Sequence, residues 1–332
     1  MCLGELGIGR LEGTAELGLA LVALVLLGAA AGRWAEGAGM ARGRLEFLVS
    51  RVALPALVFV VVAEARIEQI AAFPFVLAVM VASYLTFMVM FVVAVTVAAS
   101  RPGEAAMQGA AAGYGGIGYL GVPLVQALFG SGAALAAVLM LVSVTLLHAV
   151  LLPALHVLAR PRRPPRAALQ GLGAIVADPL LAAAAAGAAF AWSGAAVPAI
   201  VAGLLDYLTA AVVPMALFAF GASLVRAGVA RADWKVAVAA LVKLVASPFI
   251  TLSLLLAVGG YGEEWLAPAV LVAAMPTAVQ VERLAGRWNV YAGGASSCVA
   301  VTGLVSLVTL PLTVWLLGEG AIAATAGFLF GR

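Results

Sequence analysis

The strongest constraint on this chain is a succession of apolar runs, each about twenty residues long, set apart by short polar loops. An α-helix needs about that length to cross a hydrocarbon core of roughly 30 Å. Within that core every backbone N–H and C=O must be satisfied internally, which a helix does within its own segment. Ten such runs lie near 15–33, 45–64, 72–98, 105–129, 132–158, 171–192, 198–224, 234–258, 264–287 and 292–317. Composition agrees: 65% of the residues are hydrophobic and 10% charged, against about a quarter charged in ordinary soluble domains. The expected fold class is an all-α polytopic membrane protein with ten spanning helices.

Charge then sets the expected topology. The net charge is +3 and the pI is near 9.1, but the basic residues fall in the short loops, so they read as orientation signals and not as a nucleic-acid surface. The odd-to-even loops carry Arg33, Arg42 and Arg44; Arg101; Arg160, Arg162, Arg163 and Arg166; Arg226, Arg231 and Lys235; and Arg287. The other side has Arg10, Arg66 and Arg332 beside Glu64, Glu68, Glu263 and Glu264. Positive residues favour the cytoplasm, so both termini are expected outside a cell membrane, the inner membrane of a bacterium. Trp34, Trp192, Trp234, Trp265, Trp288 and Trp315 all fall near span ends, as an interfacial belt requires. Cys2 and Cys298 are too few and too far apart for a disulfide framework or a zinc site. No metal or cofactor is expected.

The fourth run is interrupted. Gly113, Gly115, Gly116, Gly118 and Gly121 precede Pro123 within an otherwise apolar stretch, and glycine and proline are the weakest helix formers. Loose backbone at membrane depth is tolerated where it is buried in protein or lines a cavity. A second interruption is expected at Pro276. Prolines recur at Pro55 and Pro214, Pro123 and Pro276, and Pro153 and Pro311, at offsets of 159, 153 and 158 residues. This pairs a first five-helix unit, 1–158, with a second, 171–318, across a basic, Pro-rich linker at 159–170; a short tail, 319–332, follows. With an odd number of spans in each, the two units are expected to be inverted, and paired broken helices in inverted repeats point to a secondary transporter.

Gly115-Gly-Ile-Gly-Tyr-Leu-Gly-Val-Pro-Leu-Val-Gln-Ala-Leu-Phe129 resembles the auxin efflux carrier superfamily, whose usual form is Gly-Asn-x-Gly-aromatic-x-Gly-x-Pro. Met275-Pro-Thr-Ala-Val-Gln280 with Leu284-Ala285 resembles the second crossover helix of that family. Leu54-Pro-Ala-Leu and Val213-Pro-Met-Ala-Leu-Phe-Ala-Phe-Gly221-Ala-Ser-Leu224 match as well. The resemblance covers essentially the whole chain. It implies a five-plus-five inverted repeat similar to sodium–proton antiporters and bile acid symporters, with the fourth and ninth helices crossing at their breaks around an organic-anion site. It also implies that spans 3–5 and 8–10 move against spans 1, 2, 6 and 7. Bacterial members are usually described as carboxylate permeases and plant members as auxin carriers. Gly116 and Gln280 stand where the family has asparagines, and Glu282 and Arg283 stand where it is usually apolar.

The candidate site residues follow. Pro123 and Pro276 mark helix breaks, whose following halves expose unpaired N–H groups with partial positive charge; Gly116 leaves space there. Lys243, in the middle of the eighth span, is either a structural cap on broken-helix carbonyls or a charge that compensates an anion or a proton. Thr277 and Gln280 are polar contacts near the second break. Arg283 is a carboxylate contact and Glu282 a proton carrier, or both snorkel to the inner headgroups. Tyr119 either contacts substrate or packs between helices. His148 is a proton-coupling candidate or a hydrogen-bonded buried histidine. Gly116-Ile-Gly-Tyr-Leu-Gly121 imitates a dinucleotide fingerprint, but no acidic residue follows at the required distance.

The function expected is alternating-access transport of a small organic anion, such as a mono- or dicarboxylate or an auxin-like acid, by proton coupling or uniport, with sodium less favoured. The alternative is a non-transporting membrane sensor or assembly component on the same fold. Expected partners are the anion, the lipid bilayer and a proton; a homodimer is left open.

Overall fold

A computed structural model describes residues 22–33, 45, 47–159, 177–195, 197–224, 233–318, 322 and 325. Nearly all of the 159–170 linker, most of the 319–332 tail, and the loops carrying Arg42, Arg44, Arg226 and Arg231 lie outside the described residues.

Among the described residues the chain is helical, with no strand beyond one isolated bridge. The helices are α1 (Val22–Arg33), α2 (Val49–Ala63), α3 (Phe73–Thr96), α4 (Pro102–Gly113), α5 (Ile117–Phe129) and α6 (Ser131–Ala159). They continue as α7 (Pro179–Ser193), α8 (Ala199–Leu224), α9 (Trp234–Val258), α10 (Glu263–Ala273), α11 (Val279–Trp288) and α12 (Ala292–Gly318). Five stretches are long and apolar enough by themselves to cross a membrane: Ile67–Thr96, Gly132–Ala154, α8, α9 and α12. The other apolar helices are shorter. The fourth expected span is divided into α4 and α5, and the ninth into α10 and α11.

Local chemistry explains many of the ends. Proline occupies the first turn of α3 and α4, where its missing N–H would have had no partner. Asp178 caps α7 by accepting from Leu180 N and Leu181 N, and Asp233 caps α9 by accepting from Val236 N. Gly194 and Asn289 close α7 and α11 in the left-handed conformation.

Prolines also explain the irregular turns. Widened π-turns at Val49–Ala53, Ile117–Gly121 and Val242–Ala246 each end two residues before a proline, at Pro55, Pro123 and Pro248. A proline ring clashes with the carbonyl four residues back. Here those carbonyls belong to Arg51, Tyr119 and Leu244, each inside the widened turn that moves it aside. Pro153, Pro214 and Pro311 instead sit within continuous helices.

The break expected at Pro123 is therefore displaced. Helix α4 ends at Gly113, and the chain is non-helical at Tyr114–Gly116, seven to nine residues before the proline. The glycines interrupt the helix, and Pro123 only widens the turn that restarts it. The second break runs from Ala274 to Ala278 and contains Pro276, as expected.

Two apolar clusters fill the interior. One joins α2, α5, α6 and α10, with residues of α3 and α8. The other lies among α4, α9, α11 and α12, closed by Phe87 and Met90 of α3. Tyr114, in the first break, packs against both. Helix α7 packs mainly on α2. Helix α8 meets α1 so closely that a Cβ on Gly221 would overlap the Val25 carbonyl, and one on Gly28 the Phe218 carbonyl. Small residues allow such backbone approach where helices associate in lipid. The outer side of α8 exposes Ile200, Leu204 and Tyr207, as a lipid-facing surface does.

Candidate functional site

The two breaks meet. Gly116 N donates to Pro276 O at 2.8 Å, and Ala278 N donates to Tyr114 O at 2.9 Å. These two bonds make an antiparallel bridge between Gly115 and Thr277. Each interruption leaves backbone groups unpaired, and each supplies partners for the other, deep in an apolar protein where unpaired groups are costly.

The remaining helix ends are treated unequally. On the carboxyl side, Thr277 Oγ1 donates to Ala111 O at 2.7 Å and Ser83 Oγ donates to Gly113 O at 3.0 Å, closing α4. Lys243 Nζ donates to Ala273 O at 3.0 Å, closing α10. On the amino side, neither Gly116 before α5 nor Ala278 before α11 provides a side-chain cap. The negative ends of the half-helices are thus covered by side-chain donors, and the positive ends are left to whatever approaches them. Thr277 is itself held, since its N–H donates to Thr302 Oγ1 at 3.0 Å, and that hydroxyl donates to Cys298 O at 2.6 Å.

Lys243 is 2% exposed and lies in the widened turn of α9. Its ammonium sits directly over the first break: a Cβ on Gly115 would come within 2.9 Å of Nζ. Of the two sequence readings, the hydrogen bond to Ala273 O is the contact expected of a cap on broken-helix carbonyls. Beside the ammonium is a small void lined by Ser83, Ser247 and Thr251 together with apolar residues of α3, α5, α6 and α10.

His148 is buried and bonded to the Val144 carbonyl through Nδ1 at 2.9 Å. With the proton on Nδ1, Nε2 is an acceptor, and among the described residues it has no partner. The imidazole stacks on Tyr114 at 4.7 Å between centroids, which ties it to the first break. Tyr119 is half-buried on the following turn and packs against the larger cluster; Pro123 is buried further along.

Beyond the second break, α11 divides by face. Val281 and Ala285 are buried, and Gln280, Arg283 and Arg287 are exposed on the opposite side. Among the described residues neither arginine forms an ion pair. Glu282 is half-buried and accepts from Ser296 Oγ at 2.9 Å. The structure thus gathers Gly116, Pro276, Thr277 and Lys243 at the bridge, with Gln280 within one turn. Arg283 and Glu282 lie further along α11, and Tyr119 and Pro123 along α5. Sequence reasoning missed Ser83, Thr302, Ser247 and Thr251. Each is a lone hydroxyl in an apolar helix, a pattern that also describes hydroxyls bonded only to their own backbone.

A chain that is apolar throughout, with two broken helices joined at a buried bridge, has the makings of a membrane carrier, and the family comparison agrees. The family model described as "Membrane transport protein" matches residues 19–315. The chain belongs to this family, the auxin efflux carrier family, and is an integral membrane transport protein. It is 30% identical over 303 residues to the Rhizobium meliloti (strain 1021) protein named "Putative malonate transporter", covering 91% of this chain and 95% of that one.

Proposed function

We propose that the protein is a secondary permease for small carboxylates, with dicarboxylates of about malonate size as the first class to test. The observation that carries this reading is the unequal capping of the half-helices: carboxyl ends closed by Thr277, Ser83 and Lys243, amino ends left without side-chain caps. Helix amino ends bind anions through free N–H groups and the dipole, and broken helices of transporters use them so at the bilayer midplane. The family and the name of the rhizobial relative support the same class.

In this reading the anion binds against Gly116, Pro276 and Thr277, with Gln280 as a side-chain donor and the Lys243 ammonium supplying positive charge. Arg283 lies about one turn into α11, and side chains on a helix lean toward its amino end. Its guanidinium therefore reaches back toward the break and pairs with carboxylate oxygens. Glu282 carries a proton if transport is proton-coupled; uniport is the other mode. Ten spans form two inverted units, 1–158 and 171–318, with α4–α5 and α10–α11 as the crossing pair and both termini outside the cell membrane.

The test is uptake of labelled malonate, succinate and acetate into proteoliposomes holding the full chain, with an amine of similar size as control. Carboxylate uptake that falls in Gln280→Ala and Arg283→Gln is expected. Saturable uptake of the amine with no carboxylate uptake would overturn the anion assignment. A Glu282→Gln protein whose uptake keeps the wild-type pH profile would remove Glu282 as proton carrier.

A further inference from the structure

We propose that the pocket around Lys243 Nζ is a monovalent-cation site which the chain fills with its own ammonium. The site lies at the meeting of the breaks, but the proposal goes beyond the transport reading, because cation binding can be measured with no cargo present.

Three features carry it. The first is the ligand set. Nζ takes the Ala273 carbonyl at the open end of α10, and the adjoining void is lined by Ser83, Ser247 and Thr251. The Ser83 proton is directed to Gly113 O and the Thr251 proton to Ser247 O. Those two hydroxyls therefore turn lone pairs, not protons, toward the void. Carbonyl and hydroxyl oxygens at a half-helix carboxyl end are the ligands that alkali cations take in transporters. They are a poor set for an anion, which would find the ammonium as its main donor.

The second feature is charge. Among the described residues no carboxylate pairs with Lys243, although it is buried at mid-span. A buried charge needs compensation, and here it comes from oxygen dipoles and the negative end of α10, which are the groups that compensate a bound alkali ion. The third is fit. The Gly115 position leaves Nζ just enough room beside the first break, so the ammonium ties α9 to the end of α10 while it packs against the first break. A free cation would make the same link only while bound; the lysine makes it permanent. A carrier of this construction works without external sodium.

The experiment compares thermal unfolding of the purified full-length protein in N-methyl-D-glucamine buffer at fixed ionic strength, titrated with sodium, lithium or potassium. The wild type is expected to unfold at one temperature whatever the cation. Lys243→Ala is expected to unfold lower in N-methyl-D-glucamine and to regain stability saturably with sodium or lithium, by on the order of 5 °C at saturation. Adding Thr251→Val should remove that gain. Lys243→Met, which fills the space without charge, should show no sodium response and stay below wild type. The proposal is overturned if Lys243→Ala is indifferent to every cation or folds in none of these salts. It also falls if the wild type itself gains stability from sodium, or if Lys243→Met is as stable as wild type.

Discussion

The first and second breaks do the same work with different chemistry. The first is three residues of backbone, Tyr114–Gly116, with little side chain near the bridge because Gly115 and Gly116 carry none. The second contains Pro276 and Thr277, and Thr277 alone holds two of the contacts that fix the site, donating its hydroxyl to Ala111 O and its backbone N–H to Thr302 Oγ1. One break offers closeness and the other offers donors. The difference teaches that a symmetric-looking pair of interruptions can divide the labour: the glycine side lets Lys243 reach the centre, and the proline side orders the polar groups.

The sharpest way to break this contrast is Gly115→Ala. The added methyl would lie 2.9 Å from Nζ and 3.2 Å from Cε of Lys243, so the end of the lysine must shift and its bond to Ala273 O is weakened. Overpacking costs up to about 1–3 kcal/mol, and uptake should fall by about tenfold as that bond is weakened. Wild-type uptake and melting temperature in this variant would show that Nζ is not held there. Next is Thr277→Val, which leaves the Ala111 carbonyl without its donor. A buried unsatisfied carbonyl costs about 1–3 kcal/mol, so the melting temperature should drop, while Thr277→Ser should retain most of the stability.

Arg283→Gln probes the polar side of α11 alone. The residue is exposed and makes no ion pair among the described residues, so stability should change by less than about 0.5 kcal/mol. The KM for a dicarboxylate should rise about fivefold, as loss of roughly 1 kcal/mol of binding implies. An unchanged KM would place the substrate away from this residue. The smallest effect is expected from Gly116→Ala. Its φ of −73° suits any residue, and an added Cβ would meet Pro276 O at an ordinary 3.6 Å. Stability should stay within about 0.5 kcal/mol; a loss as large as that of Gly115→Ala would show that both glycines, and not one, are needed for closeness.

How much of this was legible beforehand can be read from single residues. Pro276 marks its break correctly, whereas Pro268, eight residues earlier, sits inside continuous α10. Pro123 misleads: a run of glycines upstream is the weaker helix, and the proline is absorbed by a π-turn that sequence periodicity does not reveal. Measured between the bridge residues, the two breaks are 162 residues apart, nearer the 159 and 158 of the other proline pairs than the 153 between Pro123 and Pro276. Lys243 stands out in the sequence as a charge amid apolar residues. Its partner does not, because a backbone carbonyl at Ala273 has no sequence signature.

By itself, then, the amino-acid sequence determined the membrane-helical class, the positions of most helices and the existence of two interruptions. These follow from local quantities: the length of apolar runs, the helix preferences of glycine and proline, and caps such as Asp178 and Asp233. Only the tertiary structure decided that the interruptions pair through Gly115 and Thr277, that Lys243 closes the end of α10, and that Ser83 and Thr302 belong to the same centre. Backbone groups freed by a break must find partners somewhere in a medium without water, and which partners they find depends on segments brought together from up to 166 residues away.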